Sequence, residues 1–241
     1  MTENYNKEKK CADSEADAVI EEEGIESSKS GSVNMRKVPI VSSLRRYREK
    51  QLKQYNIMVE YKNLKEHAPS GVYLLPSFTD LRTMYGVIFV RLGMYSKGLF
   101  KFRITLPKEY PMDGKYPQFY FFSKVYHPLV DPQTFELDLG SKFPEWKAGR
   151  DQLAKILVFM KRIFYAKEKD FLSTMNMDMV PNKEALYLYK HDKKAFMKKV
   201  SACVEESLER RYVNEKNSTI IFTEPKPAHD KIRNSILSHQ R

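Results

Sequence analysis

Residues 98–107 read GLFKFRITLP, a stretch in which apolar and polar side chains alternate. Phe100, Phe102, Ile104 and Leu106 fall on one side of an extended chain, and Lys101, Arg103 and Thr105 fall on the other. Successive side chains of a β-strand point to opposite faces, so this pattern predicts an antiparallel strand that is buried on one face. The fold is therefore expected to contain a sheet with one apolar face that needs a cover.

Three further strands are predicted around this one. Apolar, β-branched and aromatic residues concentrate in 71–76, 85–93 and 117–123, and the links between the four stretches contain Gly or Pro. Links of about five to ten residues between such strands favour an antiparallel meander.

Helical patterns stand on both sides of the strands. A first helix is expected from Ser42 or Ser43 to residue 67, with a partly apolar stripe at Leu52, Tyr55 and Val59. The strongest helical pattern follows Asp151, its candidate cap, and it places apolar residues at 153, 156, 157, 160, 163 and 164.

Two more helices are predicted near the C-terminus. Asn182 is the candidate cap of a short helix that reaches Tyr189, and Asp192 is the candidate cap of the next. The buried stripe of that last helix is predicted at Phe196, Val200, Val204 and Leu208. One helix, four strands and then three helices predict an α+β fold, in which helices pack around a four-stranded antiparallel meander.

The charge is distributed unevenly along the chain. Residues 1–34 contain nine acidic and four basic residues, a net charge of −5. Because the whole chain has a net charge of +11, residues 35–241 carry +16. Few aromatic residues accompany these acids, which predicts a disordered tail. We expect a disordered, acidic-then-basic tail at 1–41, a folded domain at 42–211 and an extension at 212–241, whose apolar patch at 220–222 packs on the domain.

Several classes of function are disfavoured by composition. Two cysteines, Cys11 and Cys203, give no disulfide framework, and five scattered histidines lack metal-ligand spacing, so neither a metal nor a cofactor is expected. No apolar run reaches the ~18 residues of a membrane span, and the N-terminus is unlike a signal peptide, which predicts a cytoplasmic protein. The basic charge alone would attract anionic membranes, nucleic acid or acidic proteins, but no nucleic-acid recognition motif accompanies it.

A series of short motifs resembles the ubiquitin-conjugating (UBC-like) fold over about residues 45–211. The motifs are Tyr110-Pro111, Tyr116-Pro117, His127-Pro128, Leu137-Asp138, Trp146 and the helical stretch NKEALYLYKHDKKAFMKKV at 182–200. They follow the helix and the meander in the order that this family shows. The resemblance implies a four-stranded antiparallel meander with an N-terminal helix and C-terminal helices.

Two positions depart from the family pattern. In the family, Asn follows His-Pro and the catalytic cysteine precedes Leu-Asp, whereas Leu129 and Glu136 occupy those positions here. The family's cysteine supplies the thiolate that forms a thioester with ubiquitin, and the family's Asn side chain supplies a preorganised hydrogen-bond donor. Glu136 and Leu129 can supply neither group, so the resemblance implies a non-catalytic variant. The degenerate site comprises His127, Pro128, Leu129, Glu136, Leu137 and Asp138.

The remaining residues of this region have simple structural interpretations. His127 is expected to be buried or half-buried and to order the backbone, and Trp146 to anchor the following loop by packing. Glu136 is expected to be a solvated loop acid near Asp131 and Asp138. Cys203 is expected to pack beside Val200 and Val204 as a small hydrophobe.

Longer stretches resemble one branch of the non-catalytic variants, the crossbronx and fused-toes (AKT-interacting protein) group. They are GVYLLPS, GVIFVRLGMYSKGLFKF, HPLVDPQTFELDL, FPEW and, outside the core fold, STIIFTEPKPAHDKI. This resemblance implies an adaptor that acts with a Hook-family coiled-coil protein and an associated large subunit in dynein-linked transport of endosomal vesicles. It also implies association with AKT kinase, weak or absent ubiquitin binding, and a cytoplasmic location at endosomal vesicles or microtubules.

Two alternatives stay open at this point: a non-catalytic cofactor of an active conjugating enzyme, and a residual enzyme with an unconventional nucleophile.

Three surfaces are candidates for partners. The basic residues of the first helix (Arg45, Arg46, Arg48, Lys50, Lys53) are either solvated or in peripheral contact with an anionic membrane. The run of Phe171, Met175, Met177 and Met179 either closes over the core or forms a deformable binding patch. The outer face of 182–208 and the tail after 212 are candidates for a coiled-coil partner.

Overall fold

Four strands lie between a long N-terminal helix and a series of C-terminal helices in the computed structural model, which describes residues 40–165 and 171–238. The elements are α1 (Ile40–His67), β1 (Val72–Pro76), β2 (Thr83–Phe89), β3 (Leu99–Thr105), β4 (Gln118–Phe121), α2 (Leu153–Phe164), α3 (Lys183–His191), α4 (Lys193–Glu209) and α5 (Pro227–Ser238). Short 3₁₀ turns lie at Phe171–Ser173, Met177–Met179 and Arg210–Tyr212. The predicted disordered tail lies almost entirely outside the described residues.

The strands form one antiparallel sheet in the order β1-β2-β3-β4, which confirms the predicted meander. The close approach of β2 and β3 requires a glycine at one position. Gly86 pairs with Phe102, and a Cβ atom on Gly86 would lie 2.2 Å from the Phe102 ring. The sheet therefore uses the missing side chain to make room for an aromatic core residue.

The apolar face of β3 packs against α2, as the two periodic patterns predict. Phe100, Phe102 and Ile104 are fully buried, and the six apolar residues predicted for α2 are all buried as well. The Phe100 and Phe164 rings stack at 4.9 Å with an interplanar angle of 8°. Burial of these large side chains is the main stabilising contribution to the domain.

The opposite face of β3 is covered in part by the C-terminal segment. The Lys101 ammonium donates a hydrogen bond of 2.8 Å to the Val213 carbonyl and lies 5.0 Å from the centre of the Phe222 ring. Phe222 also packs edge-on against Phe89, at 6.2 Å between ring centres. The predicted packing of the 220–222 patch therefore occurs through Phe222, whereas Ile221 remains 64% exposed.

Helix α1 packs on the domain through a side other than the partly apolar stripe seen in its sequence. Leu52, Tyr55 and Val59 are 51%, 63% and 37% exposed, while Ile57 and Leu64 are buried. The partly apolar stripe seen in the sequence is therefore not the side that packs on the domain, because α1 carries apolar residues on two sides. Only one of those sides meets the sheet and α2.

Glu60 of α1 links three parts of the fold. Its carboxylate accepts a hydrogen bond of 2.6 Å from the Tyr110 hydroxyl and one of 2.7 Å from the Leu153 backbone N–H. The first amide of α2 is thus capped by a side chain 93 residues away. Asp151, the predicted cap, instead accepts from the Lys147 N–H and pairs with Arg150. That prediction was wrong because the cap comes from another helix.

The predicted caps of the last two helices of the domain are confirmed. Asn182 accepts a hydrogen bond from the Ala185 N–H, and Asp192 accepts one from the Ala195 N–H, each at 3.0 Å. Phe196, Val200 and Val204 are buried, while Leu208 is only half-buried. Helix α5 was not predicted, and none of its residues is buried.

Replacement of Glu60 tests the link between α1 and α2. We expect Glu60→Ala to lower the free energy of unfolding by about 2–4 kcal/mol, because two hydrogen bonds to a carboxylate are lost and the buried Tyr110 hydroxyl loses its acceptor. Urea unfolding measures this, with Glu66→Ala on the exposed side of the same helix as the matched control. Equal effects of the two substitutions would show that Glu60 does not join these elements.

Candidate functional site

The segment that contains the His-Pro and Leu-Asp motifs folds back along β4. The Leu137 N–H donates to the Phe119 carbonyl at 2.9 Å, and the Phe121 N–H donates to the Phe135 carbonyl at 3.0 Å. Bridges also join Tyr120 to Glu136 and Val130 to Leu137. Residues 135–137 thus lie beside the sheet edge, so the loop is part of the sheet framework.

The turn at the tip of this loop is fixed by local hydrogen bonds. The Asp131 carboxylate accepts from the Gln133 N–H at 2.7 Å and from the Thr134 N–H at 2.9 Å, and these amides lower the pKa of Asp131. Phe135 adopts a φ of 59°, which is unusual for a residue with a side chain. A hydrogen bond of 2.9 Å from its N–H to the Asp131 carbonyl helps to hold this conformation.

His127 is a buried structural residue. Its Nδ1 atom accepts a hydrogen bond of 3.0 Å from the Leu129 N–H, so the proton of the neutral ring lies on Nε2. Burial lowers the pKa of His127 to about 3, and a smaller effect of the Ile163 carbonyl opposes this. The ring is therefore neutral near pH 7, and its buried position makes it unsuited to acid–base catalysis.

Pro128 and Leu129 attach the loop to its surroundings through their carbonyl groups. The Pro128 carbonyl accepts from the Asn182 N–H at 3.1 Å, and the Leu129 carbonyl accepts from the Asp138 N–H at 2.8 Å. Both side chains are buried. The Leu129 side chain is a core residue and offers no hydrogen-bond donor to the surface.

Glu136 is half-buried, in contrast to the predicted solvated acid. Burial raises the pKa of Glu136, the Tyr120 hydroxyl opposes this change, and the nearby charges of Asp131 and Asp138 add to it. These three acids and Asp178 line a groove of about 780 Å³, which also contains Met179 and Tyr116. The surface around position 136 is therefore locally acidic, although the chain as a whole is basic.

Cys203 does not present a reactive thiol. Its side chain is 5% exposed, donates to the Lys124 carbonyl at 3.1 Å and accepts from the Tyr126 N–H at 3.4 Å. Burial raises the pKa of Cys203 to about 11, so the thiolate is scarce at neutral pH. Cys203 is thus buried as predicted, with two backbone contacts that the sequence did not indicate. Cys11 lies outside the described residues.

Trp146 anchors the loop that leads to α2. The side chain is fully buried, and its ring lies 5.7 Å from Phe143 and 6.2 Å from Tyr110, measured between ring centres. Its carbonyl accepts a hydrogen bond of 2.8 Å from the Gly114 N–H. This packing is the role that the sequence predicted for it.

The predicted basic face of α1 divides into two sets. Arg46, Lys50 and Lys53, spaced by four and three residues, line a cleft of about 480 Å³ between α1 and the 79–82 turn. Arg45 and Arg48 do not line this cleft, because the helical repeat places them on another side. The five residues therefore do not form one common face.

The methionine-rich run is also divided. Met175 and Met177 pack against the core, while Met179 is 72% exposed beside the groove near Glu136. The side chain of Phe171 lies outside what the structure describes. Met175 and Met177 therefore close over the core, and for the exposed Met179 a binding patch stays a prediction.

The described residues contain neither a metal-binding cluster nor a membrane-spanning helix. Within 40–165 and 171–238, no group of three or more His, Cys, Asp or Glu side chains is arranged to hold a metal ion. No helix in these same ranges combines the length and the apolar character that a membrane crossing needs.

Comparison with known proteins agrees with this geometry. Residues 56–204 match the family described as "Ubiquitin-conjugating enzyme". The chain also superposes on the E2 domain of a Toxoplasma gondii ubiquitin conjugating enzyme with a TM-score of 0.51 at 20% identity, covering 63% of this chain and 96% of that domain. The fold and the matched residues define a protein of the ubiquitin-conjugating class.

Relatives of higher identity define a narrower group. The chain is 35% identical to "Protein AKTIP homolog" of Nematostella vectensis over 78% of its own length and 61% of that relative's. It is also 35% identical to "Protein crossbronx homolog" of Anopheles gambiae, over 68% and 71% of the two chains. The chain therefore belongs to the ubiquitin-conjugating enzyme family and, within it, to the crossbronx and AKTIP group. It spans about three fifths of the length of relatives such as the Nematostella protein.

The buried state of His127 predicts a specific pH dependence. Its pKa is about 3 in the folded protein and about 6.5 in an unfolded chain. The unfolded state therefore binds the proton more tightly than the folded state, and lower pH favours unfolding. Stability from the neutral ring is complete above pH 6.5 and decreases towards pH 3, with a loss of about 2 kcal/mol between pH 7 and pH 5.

The measurement is the change in unfolding free energy between pH 7 and pH 5 in His127→Asn and in the wild type. Asn retains an acceptor for the Leu129 N–H but does not titrate, so its change is expected to be about 2 kcal/mol smaller. Contributions from Asp131 and other carboxylates remain in both proteins and cancel. His191→Asn, on an exposed side chain, is the control for the loss of a histidine elsewhere. Identical pH dependence in all three proteins would contradict the assignment.

Proposed function

We propose that this chain is a non-catalytic member of its family that acts as an adaptor. The observation that carries the proposal is the loop at 127–138, where the family pattern requires a thiol and an amide donor. A half-buried carboxylate, Glu136, and a buried aliphatic side chain, Leu129, occupy those two positions. In this proposal the loop serves as scaffold.

The chemistry of ubiquitin transfer supports a non-catalytic role. A thioester carrier must attack as a thiolate and later leave easily, and a carboxylate does neither under these conditions. Cys203 is a poor substitute because it is buried and its pKa is raised. His127 is neutral and hydrogen-bonded to its own loop, so it is not available to activate another nucleophile.

In the proposed adaptor role, the chain links a Hook-type coiled-coil protein, and through it dynein, to endosomal vesicles. Similarity to proteins named AKTIP homolog and crossbronx supports this role, as does a fold that is retained around the degenerate loop. We propose that the chain works in the cytoplasm at vesicles or microtubules. Association with AKT kinase belongs to the same proposal.

A second candidate is a non-catalytic cofactor of an active ubiquitin-conjugating enzyme. The groove beside Glu136 favours it, because Met179 is exposed there and methionine is an adaptable contact for protein partners. In this role the chain would position a substrate for its partner enzyme.

A charging reaction tests the absence of catalysis. The purified full chain, incubated with activating enzyme, ATP and ubiquitin, is expected to form no thiol-sensitive adduct, while an active conjugating enzyme forms one in parallel. Cys203→Ser and Cys11→Ser variants are expected to behave as wild type. An adduct that disappears in either variant would identify a nucleophile and end the non-catalytic proposal.

Direct binding separates the two candidate roles. In size-exclusion chromatography, the full chain is expected to co-elute with a purified Hook-family coiled-coil protein and not with an active conjugating enzyme. Co-elution with the conjugating enzyme alone would favour the cofactor role. The coiled-coil protein without the chain provides the reference elution volume.

A further inference from the structure

Helix α1 exposes an apolar face that packs against nothing in the described fold. Six large apolar side chains share it, with exposed fractions from 37% to 64%: Leu44, Tyr47, Leu52, Tyr55, Met58 and Val59. The same helix buries Ile57 and Leu64 on the domain side. The exposed set is therefore additional to the packing face of α1.

The six residues lie close together on the helix surface. At 100° per residue they fall within a sector of about 140°, on the opposite side from Ile57 and Leu64, and they extend over about 22 Å of helix. Contiguous exposed apolar patches usually mark interaction sites on soluble proteins. The length and shape of this patch suit a partner helix laid along α1.

Basic residues flank and interrupt this face. Helix α1 has a net charge of +4, but Arg46, Lys50 and Lys53 line the cleft on its other side, and Arg45 is paired with Glu49 at 3.5 Å. The basic residues on the side of the exposed face are Arg48 and, towards the end of the helix, Lys62 and Lys65. Arg48 lies four residues from Leu44 and four from Leu52, so it belongs to the same ridge of side chains. A partner must accept apolar contacts and supply negative charge beside them.

This combination of charge and apolar surface discriminates among possible occupants. A second copy of the chain would place one basic helix against another, which is electrostatically unfavourable. A lipid surface would bury the apolar face below the headgroups, and Arg48, within that face, would have to bend its side chain back to reach them. A helix with Asp or Glu beside its apolar stripe pairs with Arg48 and covers Leu44, Leu52 and Tyr55.

We propose that the exposed face of α1 is the docking surface for the coiled-coil partner. The partner contributes an amphipathic helix whose apolar stripe is bordered by acidic residues. This inference rests on the proposed adaptor function and assigns it a surface that is separate from the loop at 127–138. It also differs from the outer face of 182–208 and the tail after 212, which the sequence had suggested for this partner.

Two matched triple variants of the full chain test the assignment. The first, Leu44→Gln/Leu52→Gln/Tyr55→Gln, removes three exposed apolar side chains from α1. The second, Ile232→Gln/Ile236→Gln/Leu237→Gln, removes three from α5, where the exposed fractions are 59%, 56% and 53%. Circular dichroism and thermal unfolding are expected to match wild type for both, since no buried residue changes.

The Kd for a purified Hook-family coiled-coil protein is then measured by isothermal titration calorimetry. We expect the α1 variant to raise the Kd at least tenfold and the α5 variant to change it less than twofold. Arg48→Glu is expected to weaken binding as well, and its binding is expected to depend less on salt than wild-type binding does.

The possible outcomes separate this inference from the function on which it rests. No binding by the wild-type chain would overturn the adaptor function and the docking proposal with it. Normal binding by the α1 variant, or a loss only in the α5 variant, would overturn the docking proposal and leave the adaptor function intact. Flotation with phosphatidylserine vesicles that depends on Leu44, Leu52 and Tyr55, together with unchanged coiled-coil binding, would assign the face to a membrane instead.

Discussion

The packing of β3 against α2, centred on the stacked Phe100 and Phe164 rings, is the contact on which the rest of the domain depends. The alternating apolar face of β3 needs a cover, and α2 supplies one with its own continuous apolar stripe. The position of α2 is fixed at its start by Glu60, which binds the Leu153 amide. Because Glu60 also accepts from Tyr110, the link between β3 and β4 is held by the same carboxylate. The sheet, α1 and α2 therefore stabilise one another.

The loop at 127–138 is ordered by contacts that do not require a catalytic side chain. Its order comes from backbone hydrogen bonds and from buried groups such as His127 and Leu129. At position 136 the bridge to Tyr120 uses backbone atoms, while the Glu136 carboxylate also meets the Tyr120 hydroxyl. The backbone part of this pairing does not depend on which side chain stands at 136, so the loop conformation alone says little about catalysis. The identity of the side chains decides the chemistry.

The sequence predicts an element and its packing correctly where the apolar side given by its periodicity is also the side that is buried. The strand β3 and helix α2 were predicted correctly because each has one apolar side and each buries it. The capping of α2 was predicted wrongly, because the partner of the Leu153 amide is distant in sequence and no local pattern indicates Glu60. For the stripe of α1 that includes Tyr55, the sequence left open what covers it. Periodicity identifies an apolar side of a helix but does not say whether the domain or another molecule covers it.

The two apolar sides of α1 differ in what they contribute to the stability of the domain. Ile57, Leu64 and Glu60 attach the helix to the domain, while the face around Tyr55 contributes no packing within the described fold. A surface of this kind can change its side chains without loss of the core, since exposed substitutions usually have small effects on stability. The catalytic loop of an active family member lacks this freedom, because its nucleophile and supporting groups must keep one geometry. A helix face has no such requirement, so the shape and charge of a partner are the main constraints on its side chains.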